Sequence, residues 1–406
     1  MSSGKHNPPE GHFGVQSCFL DSFIQNIENV NFDSFNDEGE RMQALSATQA
    51  LLARLESPWD TTVRLNMTQP ALGAALKTVN DLQLFQKWHE HGNGSLTSTQ
   101  AAEIVGGKCD ARLLYRLLRL MAANHIVKEG PLGTLQPTQF SMSITAPVFH
   151  GLFNSYYNLI LPIYAHLPRF FEKTGYANPE DPRATAFQFA HGWEGDLWSY
   201  YTAHPDEQDE FNTIQKTIAS QQPVWTDIFP IETLLDAEPG TPLVVDVGGG
   251  TGHDLIVFHQ TDPKVASQLY LEDLESVIEK APMPTGINKV AYDFFTPQPV
   301  KGARAYLMHS ILHDWPDELA RKILAAQKEA MTPGYSRLLL HEHIDNEGPA
   351  NPQTAAFDIQ MMVLVGGRER SEKDWRELLE SAGFVVIKIW KLPSATQSII
   401  EAEVPV

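Results

Sequence analysis

A glycine-rich segment, DVGGGTG, offers the clearest chemistry in this sequence. Asp246 ends an apolar run, and Gly248, Gly250 and Gly252 follow it ahead of a helical pattern. Glycines let the backbone approach a ligand closely, and the free N–H groups at a helix start bind polar groups. The dinucleotide motif GxGxxG needs a glycine where this chain has His253, so the segment predicts a cofactor other than NAD.

Polar residues also end the next two predicted strands. Glu272 and Asp273 end one of them, where carboxylates can accept hydrogen bonds from ribose hydroxyls. Asp293 and Phe294 end the other, where they can hold the amino group of an adenine and flank its ring. An Asp at a strand end is also a common helix cap, but three such ends in register favour a nucleoside-bearing cofactor.

A further set of motifs in the C-terminal half occurs in a fixed order: VVDVGGGTGH (244–253), LEDLESVI (271–278), AYDFF (291–295), LHDWPDE (312–318), Glu342, GGRERSEKDW (366–375) and SAGF (381–384). In this order they resemble the S-adenosylmethionine (SAM)-dependent O-methyltransferases of the plant caffeic-acid type and their fungal secondary-metabolite relatives. The FQFAH stretch (187–191) and the helical N-terminal region are similar too.

The resemblance implies that SAM is the cofactor. It places the glycine turn against the methionine part of SAM, Asp273 at the ribose, and Asp293 with Phe294 at the adenine. His309 stands where plant members usually have a basic residue near the cofactor. A histidine carries only part of a charge near neutral pH, so we expect the affinity for SAM to depend on pH.

The resemblance also places the general base at His313, with Asp314 beside it in the same motif. Glu342 and Glu369 match the acidic residues that hold the tautomer of this histidine. A free histidine titrates near about 6.5 and a phenol near about 10, so the site must assist proton removal. We expect methylation of a hydroxyl on an aromatic or polyketide-type secondary metabolite.

An aromatic-rich segment, residues 147–230, predicts the substrate pocket, because such pockets are mainly apolar with a few placed polar groups. His150, Phe153 and Trp193 from this segment, together with Met362, are the candidate substrate contacts. Many of the other aromatic residues there are expected to be core.

A second enzyme class shares this fold. Fungal pericyclases resemble the methyltransferases and bind SAM, but catalyse dehydration, Diels–Alder or Alder-ene steps without methyl transfer. His150 could donate to a substrate carbonyl in such a reaction. The intact set of His313, Glu342 and Glu369 favours methylation.

Short apolar runs alternating with helical stretches predict an α/β fold for the C-terminal part. The runs cover residues 243–247, 268–271, 289–292, 303–308, 337–341, 385–390 and 398–402. Their spacing indicates a largely parallel, doubly wound sheet, the Rossmann-like sheet of class I methyltransferases. The short connection containing Pro393 has no room for a helical crossover, so the last strand is expected to be antiparallel.

The N-terminal third reads as helical. Residues 41–55 and 69–88 show amphipathic spacing, and a helix-turn-helix outline precedes two predicted wing strands at 126–129 and 139–144. These patterns predict a winged-helix dimerisation domain over 1–146, an aromatic-rich helical cap over 147–230 and a SAM-binding domain over 231–406. The apolar faces around Leu51, Leu52, Leu55, Leu72 and Leu76 favour a homodimer.

The composition of the chain argues against some classes of binding partner. The 30 Lys and Arg residues against 50 Asp and Glu residues give 406 residues a net charge of −20, which argues against nucleic acid and anionic membranes. A SAM-sensing DNA-binding regulator, the third reading, would need a basic face beyond Arg112, Arg116 and Arg119. Two cysteines without metal-ligand spacing predict no metal, and the lack of a long apolar run predicts a cytoplasmic protein.

Overall fold

The computed structural model describes residues 13–220, 223–235, 237, 240–345, 351–392 and 395–406. Two compact units divide the chain between Asn66 and Met67. The predicted domain boundaries after residues 146 and 230 lie inside the second unit and stay predictions. Pro393, on which the antiparallel prediction partly relied, lies outside the described residues.

The first unit consists of α-helices: α1 (Phe13–Glu28), α2 (Glu38–Leu55) and α3 (Pro58–Val63). The Asp37 side chain caps α2, and Ser57 and Asp60 form a capping box at α3. None of the side chains described in this unit is fully buried. On α2, Leu52 is 46% and Leu55 66% exposed, so this helix leaves an apolar face to solvent.

The second unit begins with helices α4 (Gln69–Asp81), α5 (Leu84–Glu90), α6 (Ser98–Ile104) and α7 (Ala111–Ala123). The single helix predicted over 69–88 is therefore wrong, because Gln83 adopts a left-handed conformation (φ 55°) that ends α4. Leu76 is buried in the core that these helices share, and Leu72 packs against that core. These two leucines do not form the exposed dimerisation face that was expected.

A two-stranded hairpin follows α7. Strands β1 (Val127–Glu129) and β2 (Leu135–Pro137) pair antiparallel. The predicted second wing strand at 139–144 is wrong, since Gln139–Ser143 forms helix α8. The side chains of Thr138 and Ser141 cap each other's backbone N–H groups, and this capping box starts a helix where the sequence suggested a strand.

The aromatic-rich segment forms a helical layer made of α9 (Pro147–Ser155), α10 (Leu161–Thr174), α11 (Ala186–His191), α12 (Leu197–Ala203), α13 (Pro205–Ser220) and α14 (Trp225–Ile228). Phe187 and Tyr201 of this layer are buried against Val363 of a later helix, α18 (Pro352–Val365). No described helix has the length and apolar composition that a membrane crossing requires.

The C-terminal part is an α/β fold, as predicted. Its strands are β3 (Val244–Val247), β4 (Leu269–Asp273), β5 (Asn288–Ala291), β6 (Ala305–His309), β7 (Arg337–Asp345), β8 (Arg370–Ser371), β9 (Val385–Trp390) and β10 (Gln397–Glu403). Seven strands follow the order β5-β4-β3-β6-β7-β10-β9, and β8 pairs with β7. Strands β5, β4, β3, β6 and β7 are parallel to one another. Strand β10 is antiparallel to both of its neighbours, β7 and β9, which confirms the prediction that the last strand is antiparallel.

Helices pack on the two faces of this sheet, α17 (Asp317–Ala330) and α19 (Glu372–Ser381) in one core cluster, and α15 (His253–Thr261) and α16 (Glu275–Ile278) in the other. Alternate strand residues serve the two faces, so Tyr306 packs with Leu324 while Leu307 packs with Phe258. Because parallel strands end at the same edge, the carboxyl ends of β3, β4, β6 and β7 come together there. Ligands of open α/β sheets bind at this edge.

Candidate functional site

The glycine turn follows β3 directly. Gly248, Gly250 and Gly252 have φ angles of 72°, 59° and 80°, a region that glycine enters without steric cost. A Cβ atom added to Gly248 would lie only 2.7 Å from Cδ1 of Ile311 and 3.6 Å from Cε1 of Phe294. The turn, Ile311 and Phe294 therefore form a close cradle that a side chain would fill.

Asp246 is fully buried beneath this turn. Within the described part of the chain, neither of its carboxylate oxygens has a hydrogen-bond partner. Burial raises the pKa of Asp246 well above its usual range, with the charge of Asp254 adding to the effect. Buried acceptors of this kind normally find a donor, and the amino group of SAM is such a donor. The cradle and this acceptor fit the cofactor that the sequence predicted.

The side chain of Asp273 contacts the glycine turn, whereas Glu272 contacts it through its backbone carbonyl, which accepts from the N–H groups of Gly248 (2.8 Å) and Gly249 (3.1 Å). The Asp273 carboxylate accepts hydrogen bonds from the backbone N–H groups of Gly250 (2.8 Å) and Leu274 (2.7 Å). Glu272 is buried and accepts a hydrogen bond from Gln298 (2.7 Å), and burial raises its pKa to about 7. Of the two carboxylates, the one that contacts the glycine turn is that of Asp273.

Asp293 and Phe294 lie on the loop after β5. Asp293 is exposed, and its carboxylate accepts a hydrogen bond from the Phe295 N–H at 3.0 Å, so it also stabilises the loop. The Phe294 ring is half-buried and meets the Trp315 ring edge to face at 5.8 Å between centroids. The structure thus places Phe294 between the glycine turn and Trp315, as the wall of an aromatic site.

His309, at the end of β6, forms an ion pair with Asp254 of α15. The Nδ1 atom of His309 lies 2.7 Å from Asp254 Oδ2, and the ring stacks on buried His341 at 3.9 Å between centroids. Burial alone would lower the pKa of His309, but the charge and hydrogen bond of Asp254 raise it to about 9. The contact with Asp254, which the sequence analysis did not identify, favours a charged His309 at neutral pH over the partial charge that was expected.

These residues also have the composition of a metal site. Ligand atoms of His253, Asp254 and His309 lie within 4.8 Å of one another. The 2.7 Å between Nδ1 of His309 and Asp254 Oδ2 is a hydrogen-bond distance. Ligands of a tetrahedral zinc with bonds of about 2.0 Å lie roughly 3.3 Å apart. The geometry fits a charged hydrogen bond better than a metal centre.

His313 lies on a 3₁₀ turn just after β6, within residues 311–315, which we call the histidine turn. Its Nδ1 atom lies 2.9 Å from Glu369 Oε1 and its Nε2 atom 3.5 Å from Asp314 Oδ1. Only 12% of the imidazole is exposed. The structure brings together three of the four predicted catalytic side chains in direct contact.

The electrostatics of this cluster favour a charged histidine. Burial alone would lower the pKa of His313, but the negative charges of Asp314 and Glu342 and the hydrogen bond to Glu369 raise it to about 10. Burial opposes ionisation of Glu369, yet its hydrogen bond to His313 lowers its pKa. Burial raises the pKa of Asp314 to about 7. The charges of the cluster therefore favour an imidazolium paired with Glu369.

Glu342, the fourth predicted catalytic residue, holds the backbone of the histidine turn by hydrogen bonds. Its buried carboxylate accepts hydrogen bonds from the N–H groups of Ile311 (3.1 Å) and Leu312 (2.8 Å). Burial raises the pKa of Glu342, although the positive charge of His313 opposes this. Because Ile311 lies against Gly248, Glu342 links the histidine turn to the glycine turn through the backbone.

The four predicted substrate residues fall into two groups. Trp193 and Met362 pack around the same apolar cluster, which includes Tyr201. Phe153 instead packs against the core of the N-terminal helices. The structure does not gather the four side chains in one cluster.

His150 lines a cavity of about 290 Å³ together with Asn80 and Pro147. Its Nδ1 atom lies 2.9 Å from Asn80 Oδ1 and its Nε2 atom 3.2 Å from Asn154 Nδ2. Both ring nitrogens are therefore engaged by amide side chains.

Tyr201 of α12 was missed by the sequence analysis. Burial raises the pKa of Tyr201, and the negative charge of Glu207 adds to the effect. Trp198, one turn earlier, packs against both Tyr201 and the core of the sheet. Trp198 and Tyr201 are three residues apart in LWSYY, a spacing that puts both on one face of a helix, but the many other aromatic residues of the segment gave no reason to single them out.

Comparison with known proteins gives a consistent result. Residues 174–385 match the model of the O-methyltransferase domain. The chain is 50% identical to the O-methyltransferase mfmE of Annulohypoxylon moriforme over 398 residues, which cover 98% of both chains. It also resembles the solved structures of LepI in complex with SAM and of a pericyclic reaction enzyme. Each is 26% identical, covers 96% of this chain and 99% of its own, and has a TM-score of 0.84.

Proposed function

This chain belongs to the O-methyltransferase family and is a SAM-dependent enzyme, and on that premise we propose that it methylates a hydroxyl of an aromatic or polyketide-type small molecule, with His313 as general base. The observation that carries the proposal is the contact between Nδ1 of His313 and Glu369 Oε1 at 2.9 Å. This contact commits Nδ1 to a carboxylate, so that Nε2, which lies 3.5 Å from Asp314 Oδ1, is the nitrogen that takes the proton of a substrate hydroxyl.

Separate residues bind the cofactor and remove the proton. Asp246 and the glycine turn bind the cofactor, Asp273 receives the ribose, and Phe294 flanks the adenine. When bound, SAM supplies an electrophilic methyl group on a positively charged sulfur. His313 removes the proton from the substrate hydroxyl, so that the oxygen becomes a stronger nucleophile as it is methylated.

His313 must be neutral before it can act as a base. The three carboxylates of Asp314, Glu342 and Glu369 favour its charged form in the ligand-free protein. An added positive charge in the site favours the neutral imidazole, because like charges lower the pKa of a histidine. Cofactor binding should therefore favour release of the proton from His313.

The apolar surroundings favour an aromatic acceptor. Trp198 packs against the cluster of buried residues that includes Leu312 and Trp315 of the histidine turn, and its ring lies 6.5 Å from that of Tyr201 between centroids. Helix α18, which carries Met362, contacts the histidine turn. Flat, apolar substrates gain most from such a surface, while His313 recognises a hydroxyl group.

Labelled cofactor tests the proposal directly. The protein is incubated with SAM carrying a deuterated methyl group and a panel of phenols and hydroxylated polyketides, and the products are analysed by mass spectrometry. The expected result is a product that carries the labelled methyl group. A converted substrate without label would contradict methyl transfer.

A pericyclic reaction is the second candidate, supported by the resemblance to a pericyclic reaction enzyme at 26% identity. In that reading, polar side chains such as His150 stabilise charge on a substrate carbonyl without proton removal. The bonds of His150 to Asn80 and Asn154 weigh against this role, since both ring nitrogens are already engaged. An isomerised product of unchanged mass would support this candidate.

A homodimer completes the proposal. Helix α2 exposes apolar side chains, and the first unit buries none of its described side chains by itself. Apolar faces of several turns usually mark an interface, and a second copy of the chain is the partner proposed here.

A further inference from the structure

Arg370 is a fully buried charged residue next to Glu369, and its side chain contacts the histidine turn. Its guanidinium donates to the carbonyl oxygens of Leu312 (2.8 Å) and Trp315 (2.7 Å) and to the Asp317 carboxylate (2.8 and 3.1 Å). One planar group therefore holds three acceptors, on both sides of His313. A guanidinium can do this because its five N–H groups form a rigid fork.

The rest of the 366–371 segment lies equally close to the histidine turn. The N–H of Arg368 donates to the carbonyl oxygen of His313 at 2.9 Å. A Cβ atom added to Gly367 would overlap with that same oxygen, so only glycine permits this approach. The segment that carries Glu369 therefore also holds the backbone of His313 by a hydrogen bond.

We propose that Arg370 is a positioning residue for the general base, which holds the histidine turn so that Nδ1 of His313 meets the Glu369 carboxylate. Its influence on the reaction rate rests on the proposed function, whereas its influence on the imidazole does not. Arg370 contacts neither reacting atom and acts through the carbonyls of Leu312 and Trp315. Lysine cannot replace it, since a single ammonium cannot span acceptors on both sides of the turn.

The variant Arg370→Lys tests this role. It keeps the buried positive charge but loses the fork, so the histidine turn shifts against Glu369. A misplacement of about 1 Å can cost on the order of 100-fold in rate. We expect kcat to fall roughly ten- to hundredfold and the affinity for SAM to fall by less, because the histidine turn borders the glycine turn through Ile311. In NMR titration, we expect the pKa of His313 to fall toward the ordinary histidine value.

Arg304 provides the matched control. It is also buried, and its guanidinium donates to backbone carbonyls, of Thr233 (2.8 Å) and Tyr335, but it lies at the amino end of β6. Arg304→Lys should lower the unfolding temperature as Arg370→Lys does, and leave the titration of His313 unchanged. A titration of His313 that is the same in wild type and Arg370→Lys would overturn the proposal.

Asp317→Asn covers the case in which Arg370→Lys does not fold. Asp317 lies at the rim of the site, with its side chain 36% exposed, and anchors the guanidinium from the far side. Its substitution should produce a smaller shift of the His313 titration in the same direction, and no shift would overturn the proposal. The NMR measurement needs no substrate. Methyl transfer that is absent in the wild type would therefore refute the proposed function and leave this inference standing on the titration.

Discussion

The carboxylate of Glu369 meets Nδ1 of His313 at 2.9 Å, in a cluster where only 12% of the imidazole is exposed. This contact fixes which ring nitrogen carries a proton toward the protein, and it raises the affinity of the other nitrogen for a proton. The consequences can be measured in the pH dependence of the reaction.

Glu369→Gln should move the pH profile of kcat/KM to lower pH and reduce its plateau. In the wild type, the free enzyme must lose a proton from His313, whose pKa is raised to about 10, so kcat/KM should rise with pH toward that value. Removing the carboxylate lowers that pKa, and the wrong tautomer reduces the plateau by roughly 10²–10⁴-fold. Glu377→Gln, an exposed glutamate paired with Lys373, is the control. An unshifted profile in Glu369→Gln would show that this carboxylate does not tune the base.

Asp273→Ala should weaken SAM binding about ten- to a hundredfold, measured by calorimetry. A charge-assisted hydrogen bond contributes on the order of 1.5–3 kcal/mol. Asp273 also holds the N–H groups of Gly250 and Leu274, so the variant loosens the turn as well. Asp110→Ala is the matched control, because Asp110 accepts from two backbone N–H groups at the start of α7. Equal SAM affinity in both variants would place the ribose elsewhere.

Asp254→Asn should make SAM affinity depend on pH near neutrality. In the wild type, Asp254 raises the pKa of His309 to about 9, so His309 stays charged from pH ~6 to ~8 and affinity should be flat there. Without the carboxylate, burial and the neighbouring His341 favour neutral His309, and its charge is lost as the pH rises through the neutral range. Calorimetry at several pH values checks this. A steep pH dependence in the wild type between those limits would contradict it.

Leu52→Glu together with Leu55→Glu should dissociate the homodimer. Both side chains lie on the exposed apolar face of α2, and introduced charges oppose its burial. Analytical ultracentrifugation should find twice 45.3 kDa for the wild type and 45.3 kDa for the variant. A wild-type protein that sediments as a monomer at micromolar concentration would refute the predicted dimer.

The sequence predicted the central strands of the sheet well because these strands are buried on both faces. Such strands appear as continuous apolar runs, as in Val244–Val247 and Ala305–His309. The prediction from sequence failed at two places. The capping box at Thr138 starts a helix where a strand was predicted, and no proline or glycine marks the break between two helices at Gln83. These are features of local backbone conformation that apolar spacing does not contain.

The residues of the candidate site could be predicted from the sequence only where they belong to a recognisable motif. His313 and Glu369 are 56 positions apart, and only the family resemblance related them. Asp254 and His309, 55 positions apart, carry no shared motif, so their ion pair and its effect on the charge of His309 were missed. Contacts between distant segments depend on how the strands of the sheet are arranged.

The ratio of S-adenosylhomocysteine to product tests the central claim most directly. The wild-type enzyme is incubated with SAM and an accepted substrate, beside His313→Gln and beside the wild type with sinefungin, a charged SAM analogue without a transferable methyl group. Methyl transfer with His313 as base predicts one S-adenosylhomocysteine per product, inhibition by sinefungin, and a loss of about 10²–10⁴-fold in His313→Gln with SAM binding retained. Product formed without S-adenosylhomocysteine, or at an unchanged rate in His313→Gln, would contradict it.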